Sequence, residues 1–345
     1  MNILVIGGTG FIGSYVVRQL AQQGHSVTVF HRGETSADLS PEVTHILGAR
    51  DDLTSFSDDF RARHFDAAVD MILSDEAQAR TLMSALQDVV PRVVAVSSQD
   101  VYRAYGILHR RESGPLQPLP LTEDSALREE LCILSKDEAA QLQERIPWVT
   151  EDDEKILVER VVMSDPDLSG TVVRLPAVYG LGDPQHRLHS SLKRIDDDRP
   201  AILMDKAMRD WRWSRGYVED VAQGIALAAT DEKAAGRIYN VCEPDALSQA
   251  QWVRAIGDVV GWSGEIISAP FDNLPDHLKS PNNYAQDWVV DSTRIRTELG
   301  YAESLPRSEA LARAIAWERA NPPPNIDPLR FDYEAEDRAL ERLGR

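Results

Sequence analysis

Asn2-Ile3-Leu4-Val5-Ile6-Gly7-Gly8-Thr9-Gly10-Phe11-Ile12-Gly13 is the stretch whose reading decides the fold. Its short apolar run is the pattern of a strand buried on both faces. Glycines at a spacing of three follow directly, and each has its own task. Gly7 permits a tight turn, Gly10 lets the backbone approach a pyrophosphate, and Gly13 lets the next helix pack closely on the strand. That helix is expected over Ser14 to Gln23, with Val16, Val17 and Leu20 as its apolar stripe and Gly24 as its stop. Strand, glycine loop and helix in this order make a dinucleotide-binding site, with the phosphates on the helix N-terminus. Gly7, Gly8, Thr9, Gly10, Phe11, Ile12 and Gly13 are the expected cofactor contacts.

Working outward, Ser26 to Phe30 reads as a second strand whose tip is Phe30-His31-Arg32-Gly33. An acidic residue there would hold the adenine ribose hydroxyls, whereas an arginine accommodates a 2′-phosphate. The tip carries no carboxylate. His31 and Arg32 are therefore expected beside the adenine ribose, and NADP is favoured over NAD. Further strands are expected at Val43 to Leu47, Phe65 to Ile72, Arg92 to Ser97 and Thr171 to Val178. Helices are expected at Glu76 to Val89 and Asp152 to Met163, the second opened by a capping-box-like Thr150-x-x-Asp153. Strands alternating with helices argue for an α/β, Rossmann-type, doubly wound parallel sheet with ligands at the carboxyl ends of its strands.

Residues 1–178 are read as this nucleotide-binding domain, with an insertion at about 103–147 that is Pro-rich between Pro115 and Pro120. Residues 179–324 are read as a smaller, mixed α/β, C-terminal substrate-binding region, partly interleaved with the first. Its helices are expected near Val218 to Ala229, Ser248 to Val260 and Arg307 to Ala320. The charged tail 325–345 reads as a surface helix.

The chain has 345 residues, 43% apolar and 27% charged, as a soluble globular protein does. Its net charge of −19 argues against a broad nucleic-acid surface, which needs clustered Lys and Arg. Two cysteines, Cys132 and Cys242, lack metal-type spacing, so no metal is expected and a reduced, cytoplasmic setting is the simplest reading. No apolar run approaches the ~20 residues needed to span a bilayer, and the start of the chain has no basic leader.

The residues together resemble the extended short-chain dehydrogenase/reductase superfamily, specifically the NAD-dependent epimerase/dehydratase family. Gly7 to Gly13 is similar to that family's opening motif, and Ser97-Ser98-Gln99-Asp100-Val101-Tyr102 to its Ser-Ser-x-x-Val-Tyr segment. Arg174-Leu175-Pro176-Ala177-Val178-Tyr179-Gly180 resembles the sixth-strand segment lining the nicotinamide. Tyr217-Val218-Glu219-Asp220 resembles the opening of a substrate-region helix. The resemblance implies cofactor contacts at Ser97, Lys155, Pro176 and Val178. It also implies Ser98 as the residue that orients the substrate oxygen, and Lys155 as the lysine that binds the ribose.

The family's tyrosine, four residues before that lysine, is missing. The six lysines 136, 155, 193, 206, 233 and 279 are preceded at that distance by Cys132, Glu151, His189, Ile202, Ala229 and Pro275. A carboxylate has an unperturbed pKa about six units below a phenol's and serves as a base near neutrality only when burial raises it. Two replacements are open: Glu151, Asp152 or Asp153 as a carboxylate, and Tyr102 or Tyr105 as a phenol from the Ser98 side. Otherwise these acids simply favour a helix N-terminus and the tyrosines pack.

On the substrate side, Arg209, Arg212 and Arg215 surround Trp211 and Trp213, while the insertion carries Arg103, His109, Arg110 and Arg111. These suit a small-molecule substrate that is anionic or sugar-like. The resemblance also allows a homodimer through helices flanking the sheet. The leading reading is an NAD(P)-dependent oxidoreductase acting at a carbinol or carbonyl. The other is a non-catalytic NAD(P)-binding regulator or scaffold, similar to the chloroplast stem-loop-binding proteins that lack the tyrosine.

Overall fold

The computed structural model describes residues 1–35, 37–131, 136–143 and 150–344. The first half of the chain forms β1 (Asn2–Ile6), α1 (Phe11–Gln22), β2 (Ser26–His31), β3 (Thr44–Leu47), α2 (Ser57–Arg63), β4 (Ala67–Asp70), α3 (Glu76–Leu86), β5 (Arg92–Ser98), α4 (Arg103–Leu108), α5 (Lys136–Gln143) and α6 (Lys155–Ser164). Next come β6 (Ser169–Leu175), β7 (Ala177–Tyr179), α7 (His189–Asp196), β8 (Ala201–Asp205), α8 (Lys206–Arg209), β9 (Arg215–Tyr217), α9 (Val218–Thr230) and β10 (Ile238–Asn240). The chain closes with α10 (Gln249–Val260), β11 (Glu265–Ala269), α11 (Thr293–Leu299), α12 (Arg307–Ala320) and α13 (Tyr333–Arg342).

Seven parallel strands lie in the order β10-β6-β5-β4-β1-β2-β3. The order reverses beside β1, as in a doubly wound Rossmann sheet. Alternation along each strand divides the core in two. Ile3, Val5, Val29, Val94 and Val173 face α1 and α9, while Leu4, Ile6, Val93, Ala95 and Val172 face α3 and α6. Leu82, fully buried on α3, illustrates the scale: truncation to alanine at such a site costs about 2–5 kcal/mol.

Several elements depart from the sequence reading. The expected sixth strand is two strands, because Pro176 cannot donate to a ladder. β6 stays in the main sheet and β7 leaves it to pair with β9. Helix α6 begins at Lys155, three residues later than expected, because Glu154 and not Thr150 caps it. The Glu154 carboxylate accepts from the Ile156 amide at 2.9 Å and pairs with Arg128. The short edge strand β10 joins the main sheet from beyond residue 178. Strands β8 and β11, absent from the sequence reading, form a separate parallel pair.

The tail is indeed helical over Tyr333–Arg342, but it is docked and not merely on the surface. Glu336, Ala339 and Leu340 are buried, and Glu336 pairs with Arg194 at 2.6 Å. The described first part of the insertion, up to residue 131, is packed rather than open, through bridges from Tyr102 to Leu127 and from Leu121 to Val290. Cys132 lies outside the described residues; Cys242 is a buried free thiol. Among the described residues no helix is long and apolar enough to cross a membrane, and no group of three or more His, Cys, Asp or Glu is arranged to hold a metal.

Candidate active site

The glycine loop leaves β1 at the sheet's carboxyl edge. Gly7 has φ +79°, and a Cβ there would meet the Ile72 side chain at 2.7 Å. A Cβ on Gly13 would lie 2.4 Å from the Gly7 carbonyl oxygen, so α1 packs on the loop backbone only because this residue has no side chain. Gly10 differs: nothing lies within 4 Å of a Cβ built there. No side chain caps α1 at Gly10. An open, uncapped helix N-terminus behind a glycine loop fits a dinucleotide pyrophosphate.

At the tip of β2, Arg32 is two-thirds exposed and pairs with Glu34 at 2.9 Å. His31 bonds His45 through their ring nitrogens at 2.9 Å, and burial together with the His45 charge lowers its pKa. The Thr9 and Thr35 hydroxyls meet at 2.7 Å beside the loop.

The residues read as catalytic separate into two groups. Ser98 ends β5, and its hydroxyl accepts the Asp100 amide at 3.3 Å. Lys155, at the start of α6, sends its ammonium to the Leu73 carbonyl just beyond β4, with Asp153 Oδ1 at 4.0 Å. Asp153 is largely buried and its pKa is raised by that burial, against the pull of Lys155. Asp100 links the two: its amide is on Ser98, and its carboxyl feels the charges of Asp153 and Lys155.

Others point away. Glu151 faces outward and pairs with Lys136 at 3.3 Å. The Ser97 hydroxyl is buried and donates to Glu159 at 2.6 Å, leaving no free donor for a cofactor. Tyr102 is fully buried, donates to Asn240 Oδ1 at 2.7 Å and accepts from Arg174 at 2.9 Å. Burial pushes its phenol up to about 12. Tyr105 stacks near His109 and Trp288, with ring centroids 4.2 and 4.9 Å away; burial and then the charge of Asp100 push its phenol higher still. Pro176 and Val178 are buried at the crossover from β6 to β7.

The arginines expected on the substrate side do not converge. Arg209 lies beside Asp210, Arg212 pairs with Asp287, and Arg215 is buried over Trp252 at 4.3 Å. Trp211 and Trp213 belong to an aromatic stack with Trp288. In the insertion, Arg103 pairs with Glu112, Arg111 with Glu138, and Arg110 donates to the Pro281 carbonyl.

Sequence reasoning missed Asp100, Arg128 and Glu154. Arg128 donates to the Asp100 and Glu130 carbonyls and to Glu154, tying the insertion to the end of β5. The available signal was the acid lodged between Ser97-Ser98 and Val101-Tyr102.

The description of the NAD dependent epimerase/dehydratase family matches residues 3–123 and 154–242. The chain is 26% identical to 2′-dehydrokanamycin reductase of Streptomyces kanamyceticus over 293 residues, covering 83% of this chain and 74% of that one. It is 30% identical over 130 residues to a chloroplast stem-loop binding protein of Arabidopsis thaliana, covering 34% of each. Its fold is similar to that of a Bacillus anthracis dTDP-glucose 4,6-dehydratase solved with NAD, at TM-score 0.66 and 16% identity, covering 93% of this chain and 97% of that one.

Proposed function

We propose that this chain, which belongs to the NAD-dependent epimerase/dehydratase family, is an NADP-dependent oxidoreductase acting at a carbinol or carbonyl of a small, sugar-related molecule. One observation supports the reading best. An open glycine cradle lies on the same carboxyl edge of the sheet as Lys155, whose ammonium reaches the end of β4. A merely structural glycine turn would need no such lysine.

In this reading the first amides of α1 hold the pyrophosphate, Arg32 meets the 2′-phosphate and Lys155 holds the nicotinamide ribose. When bound, the nicotinamide supplies or accepts a hydride. Ser98 orients the substrate oxygen. The similarity to 2′-dehydrokanamycin reductase and to a dTDP-glucose 4,6-dehydratase supports a sugar-related substrate.

A second reading, a cofactor-binding protein without turnover, draws on Glu151, which stands where the phenol should be and turns to Lys136. The test is a fluorescence titration with NADPH and NADH, followed by NADPH consumption against a panel of keto-sugars, ketones and aldehydes. Tight NADPH binding with turnover of one class supports the enzyme. Binding without turnover across the panel supports the second reading, and binding of neither nucleotide removes both.

A further inference from the structure

Asp100 lies two residues beyond Ser98, in the first turn after β5. Its backbone is held from both sides, with the amide on Ser98 Oγ and the carbonyl accepting from Arg128 Nε at 2.6 Å. Its carboxyl is not held. Oδ1 is sealed from solvent and has no hydrogen-bond partner among the described residues.

The charged groups facing it are Arg128, Asp153, Lys155 and Glu154, with the Tyr105 phenol on the side of α4. Arg128 is committed to two backbone carbonyls and to Glu154, and Lys155 to the Leu73 carbonyl. Neither cation makes an ion pair with Asp100. A buried carboxylate oxygen without a donor is an unusual arrangement, and it favours a carboxyl that holds a proton. Burial accordingly outweighs Arg128 and pushes this carboxyl up to about 6, the range a general acid needs at neutral pH.

We propose that Asp100 is the acid–base residue of this site, exchanging a proton with the reacting oxygen of the substrate in place of the absent phenol. The proposal rests on the oxidoreductase reading above. Its rivals are placed less well: Tyr102 is bonded on both sides, Glu151 turns outward, and Asp153 sits against Lys155. In the reducing direction Asp100 gives the proton that completes the new O–H bond, while the carbonyl carbon takes a hydride from the reduced nicotinamide. C=O becomes CH–OH, and the carboxylate left on Asp100 takes its next proton from solvent on the side away from Oδ1, the residue as a whole being partly exposed. In the oxidising direction the same carboxylate accepts the alcohol proton.

Two measurements on the full-length protein test this. The first is carbon NMR of aspartate carboxyls labelled with ¹³C, across pH 4 to 9. The resonance that disappears in Asp100→Asn is expected to titrate near 6; a midpoint at the ordinary value near ~3.9 overturns the proposal. The second compares wild type, Asp100→Asn and Asp100→Glu for NADPH affinity and for turnover of the panel ketone. Asp100→Asn is expected to keep its NADPH affinity and lose turnover by ~100-fold or more, with partial recovery in Asp100→Glu. Wild-type turnover in Asp100→Asn overturns the proposal alone. Failure of the wild type to bind NADPH overturns the parent reading, and this one with it.

Discussion

Arg174 and Glu159 meet in the core through two parallel hydrogen bonds, Nε to Oε1 at 2.9 Å and Nη2 to Oε2 at 2.7 Å. Both side chains are almost completely buried, and Ser97 donates to the same Oε1. Removing one partner strands the other charge away from water, which typically costs about 3–5 kcal/mol. Glu159→Ala is therefore expected to lose that much stability in chemical denaturation. A loss under ~1 kcal/mol would mean that the pair is no stronger than a surface one.

Gly13 and Gly10 make opposite predictions. Gly13→Ala drives a methyl into the Gly7 carbonyl, backbone against backbone, so both stability and NADPH binding should fall. Gly10→Ala meets no protein atom, and a change at a helix cap shifts stability by at most about 1 kcal/mol. Its methyl would enter the space of the pyrophosphate, so NADPH affinity should fall while the melting temperature holds. A titration and a melt on each variant check both.

Arg32 is expected to discriminate between the two nucleotides. A hydrogen bond to a charged group contributes about 1.5–3 kcal/mol, or roughly 10–100-fold in affinity. Arg32→Ala should weaken NADPH by that factor and leave NADH nearly unchanged. Equal effects on both nucleotides would place the 2′-phosphate elsewhere.

Asp100 also sets a pH signature that needs no substrate. Its folded carboxyl holds a proton up to about 6, against an ordinary value of 3.8. Between those values the folded chain binds more protons than the unfolded one. Native stability from this group therefore falls as pH rises through the window and stays lower above it. Asp100→Asn should be more stable than wild type at pH 8, by on the order of 3 kcal/mol, with the gap closing toward pH 4. Denaturation curves at pH 4, 6 and 8 would show it.

Cys242 is fully enclosed, and burial pushes its thiol up to about 11. At pH 8 only about one molecule in a thousand carries a thiolate. Native protein should therefore resist iodoacetamide at this position and become labelled only on unfolding, as followed by mass spectrometry.

What the sequence makes legible follows the physics of each element. β1 and β5 carry unbroken apolar runs, Ile3–Ile6 and Val93–Val96, β2 is interrupted only by the buried Thr28, and the glycine loop has a backbone requirement that only glycine meets. β8 and β11 are only five residues each, Ala-Ile-Leu-Met-Asp and Glu-Ile-Ile-Ser-Ala, and runs this short neither declare strand over helix nor say that the two pair in parallel. β10 is three residues long and gains its strand character only by pairing with β6. In the site, Ser98 and Lys155 follow from motif and register. Asp100 does not, because its standing depends on Arg128 and Lys155, which come 28 and 55 residues later and are committed to other partners.

The placement of β10 has a consequence for the nascent chain. β6 ends at Leu175, and its outer neighbour begins only at Ile238. Ribosomes add about 5–20 residues per second, so the intervening stretch takes roughly 3–12 s to emerge. Throughout that interval the apolar edge carrying Val172 and Val173 has no strand beside it, and unpaired edges of this kind recruit other chains. Synthesis speed between Pro176 and Arg237 therefore bears directly on the yield of soluble protein.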